Sequence, residues 1–420
     1  MQTKLAIDGG VPVRDTLLQA TYLGASLIDE REIEAVTQVL KAHSPFRYYG
    51  PDMQYAVKRF EANLRARLQA TYALGVSSCT ASLVVALKAC GVGAGDTVIV
   101  PAVSFIATAG AVVCAGAVPL FADVDDSLNI APGEITRLAN ATTKAVICVP
   151  LIGNACEMDV LCAEAKAKGL LVIEDVAQSM GVTYDGRCAG TIGDIGCFSL
   201  QINKLITTGE GGAILTNDAR LYERACRYHD QGMFREKEGF LKASEDGDLL
   251  IGQNYRMSEL TGAMACVQLE RLDGIIDACR AVYKRIVSQI QLCPGVQFRR
   301  LVREEEQLGT AVMLFLPAAE LAGRFNAAMT AENITCYSLY NGQPLYLNPQ
   351  ILLQKTAEAS NFPFNQIHPP VRYAPGMCPV AEDFMARNAM IPISPTYTEQ
   401  DCADIAAAVN KVLASVVCGV

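Results

Sequence analysis

One lysine in the middle of the chain lies between two segments that favour β-structure. Residues 196–200 predict a strand, Lys204 follows, and a glycine-rich turn leads into a second predicted strand at 213–216. A lysine held in such a turn can lose contact with solvent, and its uncharged amine then becomes a nucleophile. This amine is suited to form a Schiff base with the carbonyl carbon of a bound aldehyde.

An acidic pair upstream supplies a partner for that lysine. Residues 170–173 are apolar and are followed by Glu174 and Asp175, which is typical of a buried parallel strand with polar groups at its carboxyl end. Ligands of open α/β sheets bind beyond such ends. A lysine and an acid there suit pyridoxal 5′-phosphate (PLP), because the lysine binds the aldehyde and the acid pairs with the pyridinium nitrogen. A capping Asp175 and a solvated Lys204 form the structural alternative, which the two residues together disfavour.

Small hydroxyl residues mark a candidate phosphate site. Ser78 and Thr80 stand at the start of a predicted helix that ends at residue 90. Free N–H groups and the helix dipole at such an end bind anions, although plain N-capping by these two side chains is the alternative. Phe105 follows a predicted strand at 97–101 and could stack on the cofactor ring, while an isolated Phe is more often part of the core.

Composition excludes several classes of protein. The 420 residues predict two to three domains, or one large and one small, and the net charge of −9 argues against a nucleic-acid-binding surface. We find no apolar stretch long enough for a membrane span and no signal peptide, so we expect a cytoplasmic protein without a membrane partner. The 16 Cys lack metal-ligand spacing and the three His are scattered, so we predict no metal site.

Strand-like and helix-like segments alternate from residue 74 onward. This alternation predicts a mainly parallel sheet with helices on both faces. A charged segment, 236–248, predicts a surface loop, and one long helix at 259–285 would lead to a compact α/β C-terminal domain. We divide the chain into a large domain, 1–275, which includes the N-terminal helices, and a small domain, 276–420.

The motifs together resemble the DegT/DnrJ/StrS family of PLP-dependent sugar aminotransferases. The resemblance extends from the first predicted helix, 27–42, to the segments 379–382 and 391–395. It implies the α/β architecture of fold type I, in which the large PLP-binding domain has a mainly parallel seven-stranded sheet. The small α/β C-terminal domain follows it.

The resemblance also implies a role for each matching residue. Lys204 would be the Schiff-base lysine and, with Asp175, the catalytic pair. Cys79 stands where the family usually has Gly or Ala, which leaves backbone donation intact but puts the turn geometry in doubt. The cofactor-binding residues would be Cys79 (through its backbone), Thr80 and Ser199 at the phosphate, Phe105 on the ring, Asp175 at the ring nitrogen, Gln178 at the phenolic oxygen, Lys204, and Asn254.

Asn254 belongs to a segment, 252–259, that reaches into the neighbouring subunit in such enzymes, so the resemblance implies a homodimer with two composite sites. The implied reaction moves an amino group from glutamate or glutamine to a carbonyl of a sugar, keto-sugar acid or cyclitol. Two alternatives remain: a PLP-dependent sugar dehydratase, in which His typically replaces the lysine, and a non-catalytic PLP-binding regulator.

The acceptor is less well defined. Many nucleotide-sugar enzymes of the family have His where this chain has Gln201, and Gln resembles the branches that act on cyclitols or aminobenzoate precursors. Segments 46–48 and 336–340 instead resemble the branch that aminates an eight-carbon keto-sugar acid. Arg47 would then bind a carboxylate in a bidentate manner, and a solvated loop cation is the alternative. The candidate substrate residues are Arg47, Tyr48, Gln201 and His229.

Overall fold

Seven strands form the main sheet of the structure, a computed structural model that describes residues 4–20, 22–235 and 249–418. All strands in chain order are β1 Tyr72–Val76, β2 Thr97–Pro101, β3 Val118–Ala122, β4 Thr143–Cys148, β5 Leu171–Asp175, β6 Thr183–Tyr184, β7 Arg187–Cys188, β8 Ile195–Ser199, β9 Gly212–Thr216, β10 Gln297–Phe298, β11 Ala311–Phe315 and β12 Asn388–Pro392.

The order of the main sheet is β1-β9-β8-β5-β4-β2-β3. The pairs β8–β5, β5–β4, β4–β2 and β2–β3 are parallel, whereas β9 runs antiparallel to both β1 and β8. These strands are apolar and almost wholly buried, as expected for a sheet covered on both faces. The predicted mainly parallel seven-stranded sheet is therefore confirmed. Its parallel strands bring the carboxyl ends of β5 and β8 to one edge.

Helices cover the sheet and build the second layer. They are α1 Glu30–Lys41, α2 Ala56–Leu68, α3 Cys79–Ala89, α4 Ile106–Cys114, α5 Glu134–Leu138, α6 Met158–Ala167, α7 Ala219–His229, α8 Glu259–Glu270, α9 Leu272–Val287, α10 Ala319–Ala331, α11 Pro349–Leu352, α12 Pro379–Ala386 and α13 Glu399–Val416. Asp29 caps α1 and Thr398 caps α13, each in a capping box.

The single long helix predicted at 259–285 is wrong, because the chain forms two helices that meet at Arg271. The Arg271 guanidinium donates to both carboxylate oxygens of Glu32 in α1, at 2.9 Å each. A long-range ion pair therefore holds the residue at which α8 ends, and helical periodicity alone cannot reveal it.

The C-terminal part contains a small antiparallel sheet of order β10-β11-β12. One apolar cluster includes Ile99 of β2, Val312 of β11 and Ile391 of β12, so the two sheets share a core. The boundary at residue 275 stays a prediction, and the predicted loop 236–248 lies outside the described residues. A disulfide joins Cys293 to Cys418. None of the helices in the described ranges is long and apolar enough to cross a membrane.

Candidate active site

A cavity of about 920 Å³ lies beyond the carboxyl ends of β5 and β8. It brings together residues that are far apart in the sequence, and its lining comes from both sheets. Eight of the predicted site residues line it: Cys79, Thr80, Phe105, Asp175, Gln178, Ser199, Gln201 and Lys204.

Lys204 lies in the turn between β8 and β9. Its backbone N–H donates to the Gln201 carbonyl at 2.9 Å, and its own carbonyl accepts from the Gly24 N–H at 3.2 Å. Gly209, with φ of +79°, allows the chain to turn back toward β9. Burial lowers the pKa of the Lys204 amine, and the nearby Asp175 carboxylate opposes this shift. A larger fraction of the amine is therefore uncharged than on a surface lysine.

Asp175 is the last residue of β5 and is only 5% exposed. Its Oδ2 accepts a hydrogen bond from Thr108 Oγ1 at 2.8 Å, and its Oδ1 accepts one from the Ala177 N–H at 3.2 Å. Burial raises the pKa of this carboxyl, while both hydrogen bonds and the charge of Lys204 favour its ionised form. Thr108 was missed by the sequence analysis, although its place on the helix after β2 at the same edge of the sheet was a usable signal.

The N-terminus of α3 faces the same cavity. The Ser78 side chain caps the helix by accepting from the Ala81 N–H at 3.1 Å, and Thr80 and Ser199 line the cavity beside it. A Cβ at Gly212 would lie 2.5 Å from the Ser78 carbonyl carbon, so only glycine permits this approach of β9 to the helix end. Helix N–H groups with two hydroxyls form a donor set suited to phosphate.

Cys79 is the first residue of α3, so its Cβ is accommodated in a regular helix. Its Sγ lies 3.9 Å from Asp175 Oδ1. Burial raises the pKa of the thiol well above its usual range, and the group stays protonated. The departure from Gly or Ala thus adds a weak donor beside the carboxylate and leaves the turn geometry intact.

Gln178 contacts a residue that the sequence analysis did not assign. Its Nε2 donates to the Tyr340 hydroxyl at 2.8 Å, across 162 positions of the sequence. Its Oε1 is buried and has no hydrogen-bond partner among the described residues. An unpaired buried acceptor in a cavity fits a site whose ligand supplies the missing group.

Four further candidate residues, Arg47, Tyr48, His229 and Asn254, do not line this cavity. The Arg47 side chain is 8% exposed, pairs with Glu61 at 2.5 Å and donates to the Gly75 carbonyl at 2.7 Å. The solvated-cation alternative for Arg47 is therefore wrong. Asn254 is exposed and forms a β-bridge with Asp230.

Tyr48 and His229 form a buried pair next to Arg47. The Tyr48 hydroxyl lies 3.2 Å from His229 Nε2, and His229 Nδ1 lies 2.5 Å from the Cys226 carbonyl oxygen. A carbonyl can only accept, so Nδ1 carries the proton and Nε2 accepts from the tyrosine. Burial and the charge of Arg47 lower the pKa of His229 well below its usual value, so the ring is neutral.

Comparisons with known proteins agree with this geometry. The sequence profile of the DegT/DnrJ/EryC1/StrS aminotransferase family matches residues 26–410. The chain is 30% identical over 396 residues to the spore coat polysaccharide biosynthesis protein SpsC of Bacillus subtilis (strain 168), which covers 92% of this chain and 95% of that protein. It is 32% identical over 368 residues to the L-glutamine:2-deoxy-scyllo-inosose aminotransferase of Streptomyces kanamyceticus, covering 82% and 83%.

A solved structure is also similar. The structure of S. venezuelae DesV in complex with a ketimine intermediate superposes with a TM-score of 0.78 at 25% identity, covering 94% of this chain and 98% of that one. Each of these alignments extends over most of both chains, so the similarity is not confined to the segment around Lys204.

Removal of the Arg47 side chain should destabilise the fold. Arg47→Ala leaves the Glu61 carboxylate, 13% exposed, without its cation, and we expect the free energy of unfolding to fall by about 3 kcal/mol. Urea unfolding at fixed protein concentration measures it. The surface pair Arg67–Asp273 is the matched control, because Arg67→Ala should cost less than about 1 kcal/mol. Equal losses would contradict the structural role of Arg47.

The buried neutral His229 should make the fold acid-sensitive. Its folded pKa is lowered, so below about pH 6.5 the unfolded chain binds a proton that the folded chain does not, and stability falls as the pH falls. Between pH 6 and pH 5, His229→Gln should lose about 1 kcal/mol less stability than the wild type. Urea unfolding at both pH values tests this, with His368→Gln at an exposed position as control. Parallel wild-type and His229→Gln curves would refute it.

Proposed function

The chain belongs to the DegT/DnrJ/EryC1/StrS aminotransferase family, and on that premise we propose that it transfers an amino group from glutamate or glutamine to the carbonyl of a sugar, keto-sugar acid or cyclitol. The family uses PLP as its cofactor. The observation that carries the proposal is the shared buried cavity of Lys204 and Asp175 at the ends of β8 and β5. Such an enzyme would act in amino sugar biosynthesis.

The residues of the cavity fit PLP. Lys204 would hold the cofactor covalently, Asp175 would pair with the ring nitrogen, and Phe105 would lie against the ring. Thr80, Ser199 and the N–H groups that begin α3 would bind the phosphate. The bound cofactor supplies an electron sink for the carbon that gains or loses the amino group.

Lys204 is suited to move the proton that amino transfer requires. Burial lowers the pKa of its amine, so the free amine can accept a proton from the substrate carbon and return it elsewhere. Asp175 has the opposite task, because a carboxylate that Thr108 and the Ala177 N–H hold ionised keeps the ring nitrogen protonated. The two side chains therefore divide proton transfer and electrostatic stabilisation between them.

The acceptor that we favour is a polyhydroxylated ring. Neutral side chains with hydrogen-bonding groups surround the approach to Lys204, and they match the hydroxyls of a cyclitol or a sugar. They are Gln19, Gln201, Asn203, Thr310, Thr335 and Tyr337. The printed name of the Streptomyces relative, which specifies glutamine and an inosose, supports a cyclitol acceptor and glutamine as donor.

We further propose a homodimer with composite sites. Asn254 is exposed and lies outside the Lys204 cavity of its own chain. Large apolar side chains are also exposed nearby in the sequence of the first helices, among them Tyr49 at 63% and Leu40 at 55%. Exposed apolar surface of this kind is typical of subunit interfaces. In the dimer, Asn254 would contact the cofactor phosphate of the partner subunit, and Tyr48 and His229 would face the partner's substrate.

Cytoplasmic location is the compartment that we propose. Most cysteines of the described chain are unpaired and many of these are buried, which fits a reducing environment in which the Cys293–Cys418 bond would also be reduced.

Loss of the lysine amine should abolish covalent cofactor binding. In Lys204→Ala and Lys204→Arg we expect amino transfer to fall by at least about a hundredfold, because neither side chain supplies a neutral amine. Borohydride reduction followed by mass spectrometry should attach the cofactor to Lys204 in the wild type only. Exposed Lys168→Ala is the control and should retain both properties. Turnover by Lys204→Ala would sink the assignment.

Composite sites can be tested by complementation. Lys204→Ala and Asn254→Ala would damage the same site from different subunits, so a mixed dimer would keep one intact site. Unfolding and refolding an equal mixture should restore about a quarter of wild-type activity, since about half the dimers are mixed. Each variant refolded alone is the control. A mixture no more active than its components would exclude sites shared in this way.

A further inference from the structure

Tyr340 adopts an unusual backbone conformation at the wall of the cavity. It belongs to the turn Leu339–Gly342, in which Tyr340 has φ of +47° and Asn341 has φ of +55°. Two successive non-glycine residues in the left-handed region are uncommon and raise the conformational energy. Such a conformation persists only when the surrounding structure holds it.

Contacts with β12 hold this turn. The Leu339 N–H donates to the buried Asn388 Oδ1 at 2.7 Å, and Ser338 Oγ donates to the Asn388 carbonyl at 3.1 Å. Tyr337 and Met390 also exchange two backbone hydrogen bonds, at 3.1 and 2.8 Å. The turn is therefore anchored on both sides of Asn388, and it presents the Tyr340 side chain to the large sheet.

The Tyr340 hydroxyl meets the amide of Gln178 at 2.8 Å. As oriented, the amide nitrogen donates to the tyrosine and the buried Oε1 has no partner among the described residues. The two ends of an amide have nearly the same shape, and a half-turn exchanges them without moving any other atom. After that exchange the tyrosine hydroxyl donates to Oε1, and both N–H bonds of Nε2 are available to the cavity.

We propose that Tyr340 is a positioning residue: its hydroxyl donates to Gln178 Oε1 and so directs the Gln178 Nε2–H group at the phenolic oxygen of PLP. This inference rests on the proposed function, because it requires PLP in the cavity. Burial raises the pKa of Tyr340 well above its usual range, so the hydroxyl keeps the proton that it has to donate.

The orientation of the amide has a chemical consequence. A donated N–H stabilises the ionised phenolic oxygen, whereas an amide oxygen in the same place would favour its protonated form. An ionised oxygen that shares its charge with Gln178 holds the neighbouring proton of the lysine-linked cofactor less tightly. Tyr340 therefore tunes the protonation of the cofactor without touching it.

A pH titration of the absorbance of the holoenzyme tests the proposal. In Tyr340→Phe we expect bound cofactor with an apparent pKa about one unit higher than in the wild type, the size of one lost hydrogen bond to a charged group. An unchanged or lower pKa would overturn the proposal. The amide would then reach its orientation without the tyrosine, or it would present its oxygen to the cofactor.

Two further variants isolate the path through Gln178. Gln178→Leu should raise the pKa similarly, and adding Tyr340→Phe to it should cause no further shift; an equal shift in that background would overturn the proposal. Tyr346→Phe removes a buried hydroxyl that donates to Glu382 outside the cavity, so it should affect stability only. A wild-type protein without any PLP absorbance would refute the proposed function, and this inference with it.

Discussion

The candidate site depends on one electrostatic constraint, which is that the Asp175 carboxyl has to remain ionised where water is largely excluded. A buried carboxylate is unstable unless hydrogen bonds and opposite charge replace its hydration. Thr108 and the Ala177 N–H supply the hydrogen bonds, and Lys204 supplies the charge. Because Lys204 is buried in the same cavity, each group limits the pKa shift that burial imposes on the other.

This pair can form only because of the strand order. β5 and β8 are parallel neighbours, so Asp175 and Ser199 end at the same edge of the sheet. β9 then returns antiparallel beside β8, which confines Lys204 to a short turn over that edge. The close approach of Gly212 to Ser78 brings the start of α3 to the same place. Anion-binding donors, carboxylate and amine thus converge through backbone topology, before any side chain has been chosen.

The parts of the site that follow from strand ends could be predicted from the sequence. Asp175, Ser199 and Lys204 stand where the apolar runs stop, and the hydroxyls around Thr80 stand where a helix begins. Contacts between distant segments could not be predicted in this way. The Gln178–Tyr340 hydrogen bond spans 162 positions and depends on a left-handed turn with no glycine at Tyr340.

The same limit explains two other differences. The break in the predicted helix 259–285 depends on the ion pair between Arg271 and Glu32, which are more than two hundred positions apart in the sequence. Arg47 is flanked by aromatic loop residues, so its sequence context suggested an exposed cation, whereas its ion-pair partner, Glu61, lies on the buried side of α2. In each case local pattern identifies the element and tertiary electrostatics decides what its charged residue does.

The cavity has walls from both sheets, so its shape depends on how the two sheets are fixed to each other. Buried Arg299, next to β10, donates to the carbonyls of Leu151 and Ile152 at 3.0 and 2.9 Å, and Ile152 lines the cavity. Burial lowers the pKa of Arg299 to about 10, which still leaves it charged at neutral pH. These charge-assisted bonds fix one wall, and the Tyr340–Gln178 contact fixes another. A displacement of the C-terminal sheet would therefore alter the substrate wall and the Gln178 amide together, while Asp175 and Lys204, which both lie at the edge of the main sheet, would keep their relation.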